Sequence, residues 1–236
     1  MRVLVITGAG VSAESGIPTF RGKDGYWRKL DPIKLATPEA FTRDPELVWQ
    51  WYRERRQRIC NAQPNAAHEA IAKLAQHADE FLLVTQNVDD LHERAGLAKV
   101  EMVQIHGDIF VTRCSRCDFE HEQKHDHEYD PGTVPRCPRC DALMRPGVVW
   151  FGEPLPAPET ERVENYLQRD SCGVVIVVGT TATFGYIIHW ALRASHQGGE
   201  LIEVNPEETP LPRFATRLVR EPAAIALPRL VDELIR

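Results

Sequence analysis

Residues 3–22 read VLVITGAGVSAESGIPTFRG. A β-branched apolar run, Val3 to Thr7, enters a Gly8-Ala9-Gly10 turn, and the small residues Ser12, Ala13, Ser15 and Gly16 come next. A strand that ends in glycines lets backbone N–H groups come close to a diphosphate, with a helix N-terminus behind them. The stretch therefore predicts a strand opening a parallel sheet, with a dinucleotide site at its carboxyl end. Alone, the Gly-x-Gly-x-x-Ala pattern fits many tight strand–helix turns that bind nothing. The residues after the turn are more specific. A dehydrogenase turn runs directly into a long crossover helix, whereas here Gly16-Ile17-Pro18 breaks the helix after barely a turn. Thr19-Phe20-Arg21-Gly22 then makes a loop with one aromatic and one cation.

Similar apolar runs recur at Phe81–Thr85, Met102–Ile105, Val174–Val178 and Leu201–Val204. Helical patterns lie between them, at His68–His77, Asp89–Ala95 and Tyr186–His196. Strands alternating with helices imply an α/β chain whose parallel sheet is covered on both faces. Two segments break the rhythm. Residues 25–62 read as helical and aromatic, with Trp27, Trp49, Trp51 and Tyr52, and residues 113–146 hold four cysteines with little apolar patterning. Both read as insertions forming a smaller lobe. The His- and acid-rich tract His121–Asp130 reads as a solvated loop within the second.

The 236 residues suit one large domain or a domain with a small lobe, and 43% hydrophobic with 26% charged residues is ordinary for a globular chain. No run is long and apolar enough to span a membrane, and no signal-peptide pattern precedes Val3, so a cytoplasmic setting is expected. In that setting the six cysteines are not a disulfide framework. A formal charge of −6 argues against non-specific nucleic-acid binding and is compatible with basic, lysine-bearing partners.

Cys114-x-x-Cys117 and Cys137-x-x-Cys140 are two thiol pairs that can form knuckles around one tetrahedral Zn²⁺. The alternatives are two disulfides or four reduced thiols. Four sulfurs would fill the coordination sphere, so such a zinc is structural rather than catalytic. Cys60 and Cys172 fall outside the pattern.

Gln86-Asn87-Val88-Asp89 follows the second strand, His106-Gly107 follows the third, and Gly179-Thr180-Thr181 and Asn205 follow the last two. Polar side chains beyond strand carboxyl ends lie where open α/β sheets bind ligands. Asn87 and Asp89 also fit a helix cap, and His106 a structural histidine. Residues 145–153, RPGVVWFGE, close the cysteine insertion at Arg145-Pro146-Gly147 and continue as an apolar extended run, Val148–Phe151. That run fits a core strand as well as a binding edge.

Taken together, the glycine turn, Gln-Asn-Val-Asp, the histidine, the four cysteines and the Gly-Thr loop closely resemble, in content and order, the sirtuins. That family comprises NAD-dependent protein-lysine deacylases. The resemblance covers nearly the whole chain. It implies a Rossmann-like parallel sheet with helices on both faces (1–24, 63–112 and 147–236). It also implies a small lobe made of the helical insertion (25–62) and the zinc module (113–146). It assigns NAD to Gly8, Ala9, Gly10, Ser12, Ala13, Thr19, Phe20, Arg21, Gln86, Asn87, Asp89, Gly179, Thr180, Thr181, Asn205 and Ala223. His106 becomes the general base, with an unperturbed pKa of about 6.5. Val149 lines the acyl-lysine channel, Phe151 and Gly152 join it in binding substrate, and the extended edge adds a substrate peptide as a strand. The implied reaction joins cleavage of NAD to acyl transfer, giving nicotinamide, free lysine and an O-acyl-ADP-ribose.

The chain departs from the family at one loop. Sirtuins usually read Gly-Thr-Ser with a proline-small pair shortly after; this chain has Thr181 and then Phe184-Gly185-Tyr186.

Tyr52 and Arg55 lie three apart in a helical pattern and share a face. The run Arg53–Arg58 reads equally as a solvated basic face. Tyr-x-x-Arg after an aromatic stretch resembles the subclass that removes succinyl, malonyl or glutaryl groups, where hydroxyl and guanidinium hold the distal carboxylate. Tyr26-Trp27-Arg28-Lys29 and Leu35-Ala36-Thr37-Pro38 share that resemblance, and small Ala36 leaves room for a longer acyl chain. The expected partners are acyl-lysine proteins or peptides, with no membrane or nucleic acid, and the chain is expected to act as a monomer. Rival readings are an NAD-dependent ADP-ribosyltransferase using the same site, a zinc-ribbon nucleic-acid module and a dehydrogenase.

Overall fold

The computed structural model describes residues 1–19, 31–122 and 133–236. Phe20, Arg21, the Tyr26–Lys29 segment and most of the His- and acid-rich tract lie outside the described residues. The first strand, β1 (Arg2–Thr7), is buried from Val3 onward. Val3 and Val5 face one core, Leu4 and Ile6 another, all fully buried. A strand covered on both faces has to be apolar at every position, which is why the run does not alternate.

Around it the sheet runs β3 (Met102–Gln104), β2 (Glu80–Thr85), β1, β7 (Val174–Val178), β8 (Glu200–Val204), β9 (Arg217–Val219), all parallel. The chain moves outward from β1 to β3, then returns to β7 beside β1 and moves outward the other way. The β1–β7 boundary is therefore the switch point, where loops diverge and leave a crevice. Helices α3 (Ala66–His77) and α7 (Ala223–Leu234) cover one face through Ile71, Leu74, Leu227 and Leu230. Helices α5 (Ala157–Leu167) and α6 (Gly185–Ala194) cover the other through Val163, Leu167, Ile187 and Trp190.

The four apolar runs after β1 are strands within one residue of their expected bounds. Strand β9 is short and half-exposed, and carries no apolar run to mark it. The pattern at Asp89–Ala95 shrinks to α4 (Leu91–Arg94) because Asp89 turns inward, its Oδ1 accepting the Leu91 N–H.

The remaining layer is smaller. Helix α1 (Pro38–Arg43) starts at Thr37, whose hydroxyl accepts the Ala40 N–H at 3.0 Å, with proline at the first position. Asp44 ends it and caps α2 (Pro45–Asn61) through the Leu47 N–H. Such caps satisfy amides the helix cannot. These helices pack Phe41, Val48, Trp49 and Tyr52 on Ile109, Phe110, Val148 and Trp150. The underlying sheet is three antiparallel strands in the order β5 (Glu120–Glu122), β4 (Gly107–Cys114), β6 (Met144–Val148).

Arg145-Pro146-Gly147 therefore lies inside a strand rather than closing the insertion. Pro146 is tolerated because β6 is an edge strand and its register with β4 is irregular. Past Val148 the expected extended run leaves the sheet. The Val149 N–H goes to the His106 carbonyl and the Phe151 N–H to that of Ala36, both at 2.9 Å. No helix among the described residues is long and apolar enough to cross a membrane.

Candidate functional site

A cavity of about 900 Å³ opens at the switch point and extends under the small layer. Its floor is built by three loops that interlock. The Gly8 and Gly10 N–H groups donate to the carbonyls of Val178 and Gly179 at 3.1 and 2.8 Å. A methyl group on Gly8 would lie 2.7 Å from Thr180 Cβ, and one on Gly10 would lie 2.7 Å from Gly179 Cα. Gly179 itself has φ +62°, a conformation that costs other residues energy. The glycines thus let two strand ends touch, and two of the amides expected at a diphosphate are spent on that contact. The turn then runs as a 3₁₀ helix, Ala9–Ser15, ended by Gly16 at φ +83°.

Gln86 ties the second loop to the third. Its side-chain amide donates to the Thr180 hydroxyl at 2.9 Å and to the Thr7 carbonyl at 3.2 Å. Asn205 holds the β7 loop from the other side, donating to the Thr180 carbonyl at 2.7 Å. Gly8, Ala9, Gly10, Ala13, Thr19, Gln86, Asn87, Gly179, Thr180, Thr181, Asn205 and Ala223 all line the cavity.

Ser12 and Asp89 do not. They form a buried layer behind it. Ser12 Oγ donates to Asp89 Oδ2 at 3.0 Å and accepts from Asn87 Nδ2 at 3.1 Å. Burial pushes the Asp89 carboxyl up to about 6. His68 caps α3 by accepting the Asn65 N–H on Nδ1, which leaves its protonated Nε2 facing Ser12 Oγ at 3.4 Å. Its ring meets His92 at 4.8 Å, and burial holds His68 down at about 4 and His92 well below its ordinary value. Sequence patterns had no way to reveal this histidine pair, because each member sits on a different helix.

His106 follows β3 and lines the same cavity. Its Nδ1 faces the Gln86 carbonyl at 3.1 Å and its Nε2 the Tyr186 hydroxyl at 2.6 Å. Burial lowers its pKa, so the neutral base is the stable form.

Opposite it, Val149, Trp150, Phe151 and Gly152 form the wall under the small layer, and Ala36, Tyr52 and Arg55 line its inner part. The Trp150 indole N–H donates to the Tyr52 hydroxyl at 3.0 Å. The Arg55 guanidinium sits over the Trp51 ring at 4.7 Å and the Tyr52 ring at 5.3 Å. The solvated-face reading of this helix fails for Arg55 and Arg56, which are 8% and 1% exposed. Arg56 points away from the cavity and clamps α2 onto β4. It donates to the carbonyls of Ile109 and Val111 and to Thr112 Oγ1, at 2.6, 3.1 and 2.9 Å.

The four Sγ atoms of Cys114, Cys117, Cys137 and Cys140 all lie within 4.8 Å of one another, the nearest pairs at 3.4 and 3.6 Å. Sulfurs around zinc at ~2.3 Å would be roughly 3.8 Å apart, whereas a disulfide needs ~2.05 Å. All are free thiols, as are half-buried Cys60 and buried Cys172. Arg116 and Cys117 N–H groups donate to Cys114 Sγ, which suits a thiolate ligand. The cluster fits a structural Zn²⁺. It joins the far end of β4, whose near end carries Gly107 beside His106; eight strand residues separate them by roughly 23 Å.

A family model described as "Sir2 family" matches residues 8–184. The NAD-dependent protein deacylase of Aquifex aeolicus (strain VF5) is 46% identical over 99% of this chain and 95% of its own length. A solved Sir2 homolog–NAD complex superposes with TM-score 0.89 at 44% identity, covering 100% of this chain and 91% of that one. A Sir2–p53 peptide–NAD⁺ complex does so with TM-score 0.82 at 30% identity, over 98% and 92%.

Proposed function

The chain belongs to the Sir2 family and is an NAD-dependent protein deacylase, and we propose that it prefers lysines whose acyl group ends in a carboxylate, such as succinyl or malonyl. The observation that carries this is the placement of Tyr52 and Arg55. Both are buried side chains on the inner wall of the cavity that also holds His106. Because the Tyr52 oxygen accepts from Trp150, its own O–H remains a donor. Ala36 lines the same cavity and offers the acyl chain only a methyl group. A hydroxyl and a guanidinium together suit one carboxylate.

The cofactor-binding and catalytic assignments are part of this proposal. The glycine turn, Gln86, Asn87, the Gly179–Thr181 loop, Asn205 and Ala223 would hold NAD, with Ser12 and Asp89 fixing Asn87 from behind. NAD, when bound, supplies the electrophilic ribose carbon and the hydroxyl that accepts the acyl group. His106 removes a proton, its orientation set by the Gln86 carbonyl. Val149 and Trp150 keep water from the acyl chain. Peptide binding beside β6 is supported by its place at the sheet edge. The substrates are acyl-lysine side chains of cytoplasmic proteins, and the chain acts as a monomer.

The test is a pair of matched peptides, succinyl-lysine and acetyl-lysine, with the parent and Arg55→Met. Hydrogen bonds to charged groups contribute on the order of 1.5–3 kcal/mol, or roughly 10–200-fold in kcat/KM. The parent is expected to favour the succinyl peptide by about that factor. Arg55→Met should erase most of the preference and leave acetyl-peptide turnover nearly unchanged. Equal losses on both peptides would assign Arg55 to the fold instead.

A further inference from the structure

The loop in which this chain departs from the family brings a phenol onto the proposed base. The Gln86 carbonyl can only accept, so His106 Nδ1 carries the ring proton and Nε2 holds the lone pair. The Tyr186 hydroxyl, 2.6 Å away, donates to that lone pair. Burial pushes the phenol's pKa up, which keeps its proton on. The phenol ring is also held. It stacks on Phe184 at 5.6 Å and 16°, packs on Trp190 at 5.0 Å, and meets the imidazole at 90°. Trp190 is itself pinned, buried and donating to Glu164 at 2.8 Å. His106, Phe184 and Tyr186 all line the cavity.

The Tyr186 hydroxyl thus occupies the single lone pair of Nε2, and a substrate hydroxyl can reach that nitrogen through the phenol oxygen. We propose that Tyr186 is a catalytic residue that relays the substrate's proton to His106. The substrate O–H bond breaks as a new Tyr186 O–H bond forms. The original Tyr186 O–H bond breaks as the Nε2–H bond forms. The electron pair stays on the substrate oxygen, which becomes the nucleophile; the phenol is regenerated and the imidazolium keeps the proton. Nothing is oxidised or reduced. The relay rests on the reading of His106 as the base.

The test begins without NAD. In the ligand-free protein, Tyr186→Phe keeps the ring stack and removes the hydroxyl. The ¹⁵N resonance of His106 Nε2 is expected to shift toward that of an unbonded ring nitrogen. An unmoved resonance overturns the relay. In deacylation, a general base contributes ~10²–10⁴-fold, and losing the relay should remove about 10–100-fold of it from kcat, with KM within a few-fold. The double variant with His106→Ala should be no slower than His106→Ala alone. If Tyr186→Phe matches the parent while His106→Ala is inactive, the relay falls and the base stands. If His106→Ala stays within a few-fold of the parent, both fall. A faster Tyr186→Phe would make the phenol only a plug on the base. The parent supplies a check free of any variant. In single turnover across H₂O–D₂O mixtures, two protons moving together give a bowed rate plot, and a straight one overturns the relay.

Discussion

His106 and Asp89 are both buried, and burial moves them in opposite directions because it disfavours whichever form is charged. A neutral imidazole is what a base needs. Lowering its pKa means that kcat/KM should climb with pH through a midpoint below 6.5 and stay level above it, read from a pH–rate profile. A midpoint at or above pH 7 would place the titration elsewhere. Asp89 works against stability. Its folded pKa of about 6 lies above the ordinary 3.8, so its contribution is full below that value and is lost as pH rises through 6. At pH 7.5 the ionised carboxylate costs on the order of 3 kcal/mol. Asp89→Asn is therefore expected to raise the urea unfolding free energy at pH 7.5 by about 1–3 kcal/mol while lowering deacylation. The gain is partial because an amide cannot accept the Ser12 proton on both atoms. No gain at all would show that the native carboxylate is already fully solvated.

Strands β4 and β6 are the elements that carry the candidate site's outer wall. One end holds His106-Gly107 and Val148-Val149, the other the four cysteines. A structural zinc would act at a distance, by keeping a small three-stranded sheet from fraying. Zinc modules of this kind gain roughly 10–16 kcal/mol from the metal. Cys137→Ser is expected to lower the thermal midpoint conspicuously, with activity lost in parallel. A metal-free protein that remains folded and active would remove the structural role. The same sheet is pinned to α2 by Arg56, whose loss would leave the Ile109 and Val111 carbonyls short of a donor. Arg56→Met should cost about 3 kcal/mol in urea unfolding, since hydrogen bonds to a charged group contribute ~1.5–3 kcal/mol each. A change below ~1 kcal/mol would mean water replaces the clamp.

For the whole molecule, the buried polar layer behind the glycine turn contributes to the response to acid. His68 and His92 stay neutral in the fold, with pKa values depressed by burial. As pH falls below 6.5 the unfolded chain takes up their protons and the native state does not, so stability is lost toward pH 4. Asp89 opposes this between pH 6 and 3.8, where protonation favours the fold. Within this layer two histidines oppose one carboxyl, so the unfolding free energy is expected to be lower at pH 5 than at pH 7. Urea titrations at the two pH values check it. Equal or greater stability at pH 5 would mean that the pair is protonated in the native state.

The sequence by itself determined the sheet, the cysteine cluster and the order of the site loops. Each is written in local signals: unbroken apolar runs for strands buried on both faces, Cys-x-x-Cys spacing for knuckles, and polar residues at strand ends. Tertiary structure alone decided what the individual motif residues do. Gly8 and Gly10 serve Gly179, a contact across most of the chain. Within one basic run, Arg55 faces the cavity and Arg56 is buried against β4, because a helix turns neighbours about 100° apart. Tyr186 reaches His106 across 80 positions. Such pairings depend on which strand ends the switch point brings together, and no local periodicity encodes that.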